Sequence, residues 1–171
     1  FFAGNSSTAK RNNSFVAEVG VADGRSALML ADMINNLRKD FKMTMIDSCD
    51  YGQMNQARDI WNHIVKSGFE CIDFLHMSSL DASVKFPDNH FDFVFIDASH
   101  KYEPTKADIR LWYHKIKVGG ILAGHDYLCS ENPEVALAVN EVIPIQALRA
   151  EQTERGHGIW WTQKADHIKM N

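Results

Sequence analysis

Short apolar runs alternate with amphipathic stripes along this chain, and each run gives way to glycine or polar side chains. The runs are Phe15–Gly20, Lys42–Asp47, Cys71–Met77, Phe91–Asp97 and Gly120–His125. Between them, Ala27, Leu30, Ala31, Ile34 and Leu37 form one helical face. Met54, Ala57, Trp61, Ile64 and Val65 form a second, and Ile109, Trp112, Tyr113 and Ile116 a third. All recur at the i, i+3, i+4, i+7 spacing of an amphipathic helix. Near-continuous apolar strands separated by helices predict a parallel sheet covered on both faces. The expected fold class is therefore α/β, a Rossmann-like doubly wound sheet.

Punctuation supports the same reading. Pro104 falls in the first turn of a helix, and Asn132-Pro133 reads as an N-cap followed by N1. After the fifth run come a helix over Glu134–Val142 and strand candidates at Ile143–Arg149 and His157–Trp161. Arg155-Gly156-His157-Gly158 reads as a hairpin turn between those two, which predicts an antiparallel C-terminal edge. Trp160-Trp161 on such an edge suits either a dimer contact, hence a homo-oligomer, or half-packing on the core.

Composition narrows the class. At 171 residues, 45% hydrophobic and 23% charged, the chain reads as one domain, 1–171, with its core at about 15–163. The polar start and the tail after Gln163 are expected to be loosely held. A net charge of −4 without a basic run argues against a nucleic-acid partner. No run is long enough to cross a membrane. No signal peptide is legible, and the expected location is cytoplasmic. The chain starts at Phe1, so the coding sequence is expected to extend upstream. Cys49, Cys71 and Cys129 lack metal or disulfide spacing and read as inert thiols.

The most informative segment is Phe15-Val16-Ala17-Glu18-Val19-Gly20-Val21-Ala22-Asp23-Gly24-Arg25-Ser26. It reads as a buried strand, a glycine turn and a helix start. Such a turn is expected to leave bare backbone N–H groups facing a crevice. The glycine spacing is not the G-x-G-x-x-G of a dinucleotide site. In a doubly wound sheet, ligands bind beyond the carboxyl ends of the strands. Asp47 stands at the second such end, 23 residues after Gly24, where an acid can accept from ribose hydroxyls or cap the strand. Met77, Ser78 and Ser79 at the third suit an adenine edge, or core packing and a helix cap. Asp97 ends the fourth run, and His125-Asp126 the fifth.

Glu18-x-Gly20-x-x-x-Gly24 resembles motif I, E/D-x-G-x-x-x-G, of the class I S-adenosylmethionine-dependent methyltransferases. Phe91-Asp92-Phe93-Val94-Phe95-Ile96-Asp97-Ala98-Ser99-His100-Lys101-Tyr102-Glu103 resembles the F-D-L-V-F-I-D-G-x-H-x-Y-E run of the methyltransferase-24 type family. Ala107-Asp108-Ile109, Leu111-Trp112, Val118-Gly119-Gly120 and Gly124-His125-Asp126-Tyr127 continue the pattern. The likeness spans about Phe15 to Trp161. It implies the class I methyltransferase fold and S-adenosylmethionine as cofactor. The implied cofactor-binding residues are Glu18, Gly20, Val21, Gly24, Ser26, Asp47, Met77, Ser78, Ser79 and Asp97.

An acceptor hydroxyl needs help to lose its proton. A divalent cation can lower its pKa, and a base within reach can take the proton. Asp97 and Asp126 could share a hard cation such as Mg²⁺ or Mn²⁺, with His100 as base, or they could orient substrate or cap loops without a metal, with His100 as a loop hydrogen-bonder. The expected catalytic residues are His100 and Asp97, and the expected metal ligands Asp97, His125 and Asp126. The resemblance implies acids at the 125–126 positions, so His125 departs from it. Imidazole suits Mn²⁺, Fe²⁺ or Zn²⁺ better than Mg²⁺, and His125 also suits a second base or a substrate contact. His63, His76, His90, His114, His157 and His167 have no partner at motif spacing and read as surface or structural. The expected activity is O-methylation of a small molecule, with a glycan or secondary-metabolite hydroxyl suggested by the family. An inactive cofactor-binding module and a nucleotide-linked oxidoreductase are the alternatives.

Overall fold

Residues along Ser14–Val19 alternate between the two faces of a sheet, and both faces are packed. The computed structural model describes residues 13–37, 40–50, 56–152 and 156–171. In chain order the elements are β1 (Ser14–Val19), α1 (Arg25–Leu37), β2 (Phe41–Asp47), α2 (Gln56–Ser67), β3 (Ile72–His76) and α3 (Ser79–Ser83). Then follow β4 (Phe91–Ile96), α4 (Tyr102–Lys115), β5 (Ile116–Tyr127), α5 (Pro133–Val142), β6 (Arg149–Gln152) and β7 (Gly158–Gln163). The strands pair in the order β3-β2-β1-β4-β5-β7-β6. The first five are mutually parallel, and β7 and β6 are antiparallel additions. The chain winds outward from β1 to β3, then returns to lay β4 on the other side of β1. Strand order reverses there, and a crevice opens at the carboxyl ends of β1 and β4.

One core joins Ala17 and Val19 to Ile109, Trp112, Val135 and Val139. The other joins Val16 to Ala27 and Ala31 of α1 and to Ile60 and Ile64 of α2. The α1 stripe packs as its spacing predicts, and so do Ile109, Trp112 and Tyr113 of α4. Ile116 is instead the first residue of β5, which begins four residues before the expected Gly120. The α2 stripe packs otherwise: Ile60 and Ile64 are buried, whereas Trp61 and Val65 are 52% and 63% exposed. Rows 57-60-64 and 57-61-65 both satisfy helical spacing, and the sheet accepts the first. Met54 lies outside the described residues, as does the side chain of Leu37.

The C-terminal third departs further. Ile143–Arg149 is not a strand. The Pro144 carbonyl accepts from the N–H groups of Ala147 and Leu148, which folds the segment into a turn. Its apolar residues still enter the core, with Ile143 at 1% exposure. Strand β6 begins only at Arg149 and is itself the sheet edge. Strand β7 is therefore internal. Trp160 is buried at 1%, and a side chain at Gly124 would strike its ring, so Trp160 is not available for a dimer contact. The tail is also held. Asn171 N–H donates to the Val142 carbonyl, Lys164 Nζ to the Ile116 carbonyl, and Ile168 and Met170 pack on the core. Among the described residues, no helix is long and apolar enough to cross a membrane. The three cysteines are free, and burial with the nearby Asp47 charge pushes the Cys49 thiol up to about 11.

Candidate functional site

The carboxyl ends of the five parallel strands surround one open cleft of about 1200 Å³. Gly20, Asp47, Met77, Ser78, Ser79, Asp97, His100, His125 and Asp126 all line it. Asp23, Asp50, Asp59 and Asp108 add acids, and Arg25 adds a permanent positive charge.

The glycine loop is braced from within. Val21 and Ala22 N–H groups donate to Asp47 Oδ2 at 2.7 and 3.0 Å, and Cys49 N–H donates to Oδ1 at 2.6 Å. Gly24 N–H donates to the Val21 carbonyl at 2.8 Å. The sequence reading left such groups bare, but the acid ending β2 reaches back to take them. A carboxylate offers about four lone-pair sites, so about one on Oδ1 remains for a ligand. Gly20 has φ +83°, and a Cβ there would collide with the Asp97 carbonyl oxygen. Its glycine is needed for the approach of loop to strand end. Glu18, Val21, Gly24 and Ser26 are not among the cleft-lining residues.

Glu18 lies beneath the loop at 1% exposure. Its Oε1 accepts from Ser26 Oγ at 2.6 Å, and its Oε2 is buried without a partner. Burial pushes its pKa up to about 7; the Ser26 hydrogen bond opposes the rise and the Asp97 charge adds to it.

Beyond β3, Ser78 caps α3, with its oxygen accepting from Asp81 N–H. Ser79 Oγ donates to Asp108 Oδ1 at 2.5 Å and accepts from Trp112 Nε1 at 2.8 Å. Burial raises Asp108 to about 6 against that hydrogen bond. The sequence pattern marks Asp108 as a motif residue without giving it a role. Its link to Ser79 appears only when α4 packs on α3.

Across the crevice, Asp126 is a hub. It is 4% exposed and takes a left-handed backbone at φ +59°, a conformation that Asp tolerates better than most residues. His100 Nε2 lies 2.9 Å from Asp126 Oδ2. His125 Nδ1 and His157 Nδ1 lie 3.4 and 3.0 Å from Oδ1. Asp97 Oδ1 stands 3.9 Å from His100 Nε2 and 3.8 Å from His125 Nδ1. Burial works to raise Asp126, but the hydrogen bond from His157 and the charges of His125 and His100 outweigh it and hold the carboxyl below its ordinary range. Burial raises Asp97, with His125 opposing. Thus Asp97, His100, His125 and Asp126 meet as their strand-end positions predict. His157, read from sequence as structural, joins them because β7 runs antiparallel beside β5. The pairing shifts register between Gly124 and Tyr127, and only that local register could have revealed the contact.

This fold and crevice define a class I methyltransferase architecture, and comparison with known proteins agrees. The chain overlays 88% of its length on 74% of an O-methyltransferase from Bacillus cereus in complex with SAH, at TM-score 0.67 and 16% identity. It overlays 90% of its length on 88% of an rRNA methylase from Streptococcus thermophilus, at TM-score 0.66 and 14% identity. A spermidine synthase from Thermotoga maritima shares the fold at TM-score 0.63 and 15% identity, over 91% of this chain and 55% of that one. Identities this low establish the fold alone. An uncharacterised protein of Acanthamoeba polyphaga mimivirus is 36% identical over 56 residues, and that match spans a quarter of the curated relative's length. Residues 17–127 match the methyltransferase-24 family, described as a methyltransferase domain. The chain belongs to that family.

Proposed function

We propose that this protein methylates a hydroxyl of a small molecule with S-adenosylmethionine, using His100 as base and a divalent cation held by Asp97, His125 and Asp126. The observation that carries the reading is the 2.9 Å contact between His100 Nε2 and Asp126 Oδ2, in the same cleft as the glycine loop. With Nε2–H donated to a carboxylate, the lone pair of His100 rests on Nδ1.

The residues fit both absent groups. Beneath the glycine loop Glu18 keeps a buried oxygen without a partner, and the acid at the end of β2 lines the cleft. Aspartate oxygens and imidazole nitrogens converge on the opposite wall. When bound, the cofactor supplies an electrophilic methyl group, and the cation lowers the pKa of the acceptor hydroxyl. The remaining work belongs to the chain. The charge of Glu18 beneath the loop would favour the cofactor's positive groups, and Asp47 would accept from one ribose hydroxyl. Met77 and Ser79 would border the adenine, with Ser78 fixing the turn beneath. Asp97 and Asp126 hold His100 in place. His100 Nδ1 would take the acceptor's proton, leaving an oxygen lone pair free for the cofactor's methyl group. The acidic lining disfavours a polyanionic acceptor.

Calorimetric titration with S-adenosylhomocysteine tests the cofactor, with NAD expected to give no heat. His100→Ala is expected to lower turnover about 10²- to 10⁴-fold, with cofactor affinity unchanged. Absence of S-adenosylhomocysteine binding, or full turnover in His100→Ala, overturns the reading.

A further inference from the structure

We propose that the cation site is completed by His157 and takes a borderline transition ion, of the Mn²⁺, Fe²⁺, Co²⁺ or Zn²⁺ kind, rather than Mg²⁺. The inference rests on the cleft assigned above to methyl transfer, and it names a ligand and an ion class that the strand-end motifs do not supply.

The donor set is the first argument. His125 Nδ1, Asp126 Oδ1 and His157 Nδ1 all lie within 4.8 Å of one another. Two imidazoles and the Asp126 carboxylate, with Asp97 Oδ1 3.8 Å from His125 Nδ1 as a further oxygen donor, suit borderline ions and leave a position for an acceptor oxygen. Mg²⁺ prefers oxygen ligands in near-ideal octahedral geometry and gives up water reluctantly.

Spacing is the second argument. Bonds of about 2.0–2.1 Å put neighbouring ligand atoms about 2.9–3.4 Å apart in octahedral or tetrahedral shells. The nitrogens of His157 and His125 stand 3.0 and 3.4 Å from the shared Asp126 oxygen. Their rings lie nearly parallel, 14° apart with centroids 5.4 Å apart, and each presents Nδ1 to the same carboxylate oxygen.

The division of Asp126 is the third. Oδ1 faces His125 and His157, and Oδ2 faces His100. One carboxylate can thus ligate an ion on one side while orienting the base on the other. Asp126 sits on a left-handed backbone at φ +59°. That backbone sets the side chain between the three rings.

The test is Co²⁺ titration of the metal-free full chain, followed by visible d–d absorption, beside Mg²⁺ competition and S-adenosylhomocysteine calorimetry on the same sample. One Co²⁺ is expected to bind, and Mg²⁺ is expected to displace it only at far higher concentration. His157→Gln keeps a hydrogen-bond donor for Asp126 and is expected to weaken Co²⁺ by at least about 10- to 100-fold. Its S-adenosylhomocysteine affinity should stay unchanged, which reports an intact fold. His125→Ala should weaken Co²⁺ likewise, and His76→Ala should not. Unchanged Co²⁺ affinity in His157→Gln, or Mg²⁺ binding as tightly as Co²⁺, overturns the inference. S-adenosylhomocysteine binding without Co²⁺ binding also overturns it while leaving the methyl-transfer reading intact. Co²⁺ binding without S-adenosylhomocysteine binding keeps the site and sinks that reading.

Discussion

Glu18 shows what a single buried carboxyl does to this molecule. Its folded pKa of about 7 lies above the ordinary 4.5, so the folded state binds the proton more tightly. Stability from this group is therefore complete below about pH 4.5 and is lost as pH rises through about 7. A shift of that size corresponds to about 3 kcal/mol. Glu18→Gln is expected to remove this decline and to stabilise the cofactor-free protein above neutral pH by up to about 3 kcal/mol in urea unfolding. It should also weaken S-adenosylmethionine about tenfold or more, and the sulfur-neutral S-adenosylhomocysteine less. A variant that stays pH-sensitive, or that binds both equally well, would show that Glu18 has neither role. The acid was legible in the sequence from its place before Gly20. The bracing of the loop by Asp47 was not, because a side chain that turns back on its own sheet looks the same in sequence as one that faces a ligand.

At the scale of elements, the informative junction is between the β1 loop and the end of β4. Gly20 sits against the Asp97 backbone carbonyl, so the glycine loop and the end of β4 share one contact. Gly20→Ala adds a Cβ at φ +83° and drives it into backbone that cannot rotate away. The expected cost is about 2–4 kcal/mol, from strain and collision together. Cofactor affinity and His100-dependent turnover should fall together, measured by calorimetry and by assay. Loss of only one would separate the two halves of the site. Strands one to five were legible because buried parallel strands read as apolar runs whatever their neighbours. The β6–β7 edge was harder, since β6 is exposed throughout and carries no apolar signal. The buried residues that mimic a strand before it, Ile143, Ala147 and Leu148, fill the core from a turn. His157 was lost with that register.

For the whole molecule, the last eight residues close the helical layer of α4 and α5. Arg110 Nη2 donates to the Asn171 carbonyl, and Asn171 Nδ2 donates to the Glu141 carbonyl at the end of α5. Lys164 Nζ donates to the His114 and Ile116 carbonyls, where the α4 dipole favours a cation. Removing residues 164–171 is expected to cost about 2–4 kcal/mol, from the half-buried Ile168 and Met170 and these caps. Urea midpoints of the truncated and full chains give the check, and equal midpoints would contradict it. A polar composition suggested a loose tail, but the signal that tethers it is backbone capping, which composition does not carry.

The seam between β1 and β4 has a kinetic consequence. Strands β1 to β3 are contiguous in the chain, as are β4 to β7, and among the described residues the two sets pair only where Val16–Val19 runs beside Phe93–Ile96. Closing that seam fixes a long intervening loop before the pairing is rewarded. The crevice between the sets exists only once the seam has closed. A bound cofactor should therefore act late on the folding route. In chevron measurements, S-adenosylhomocysteine is expected to slow the unfolding arm and leave the folding arm almost unmoved.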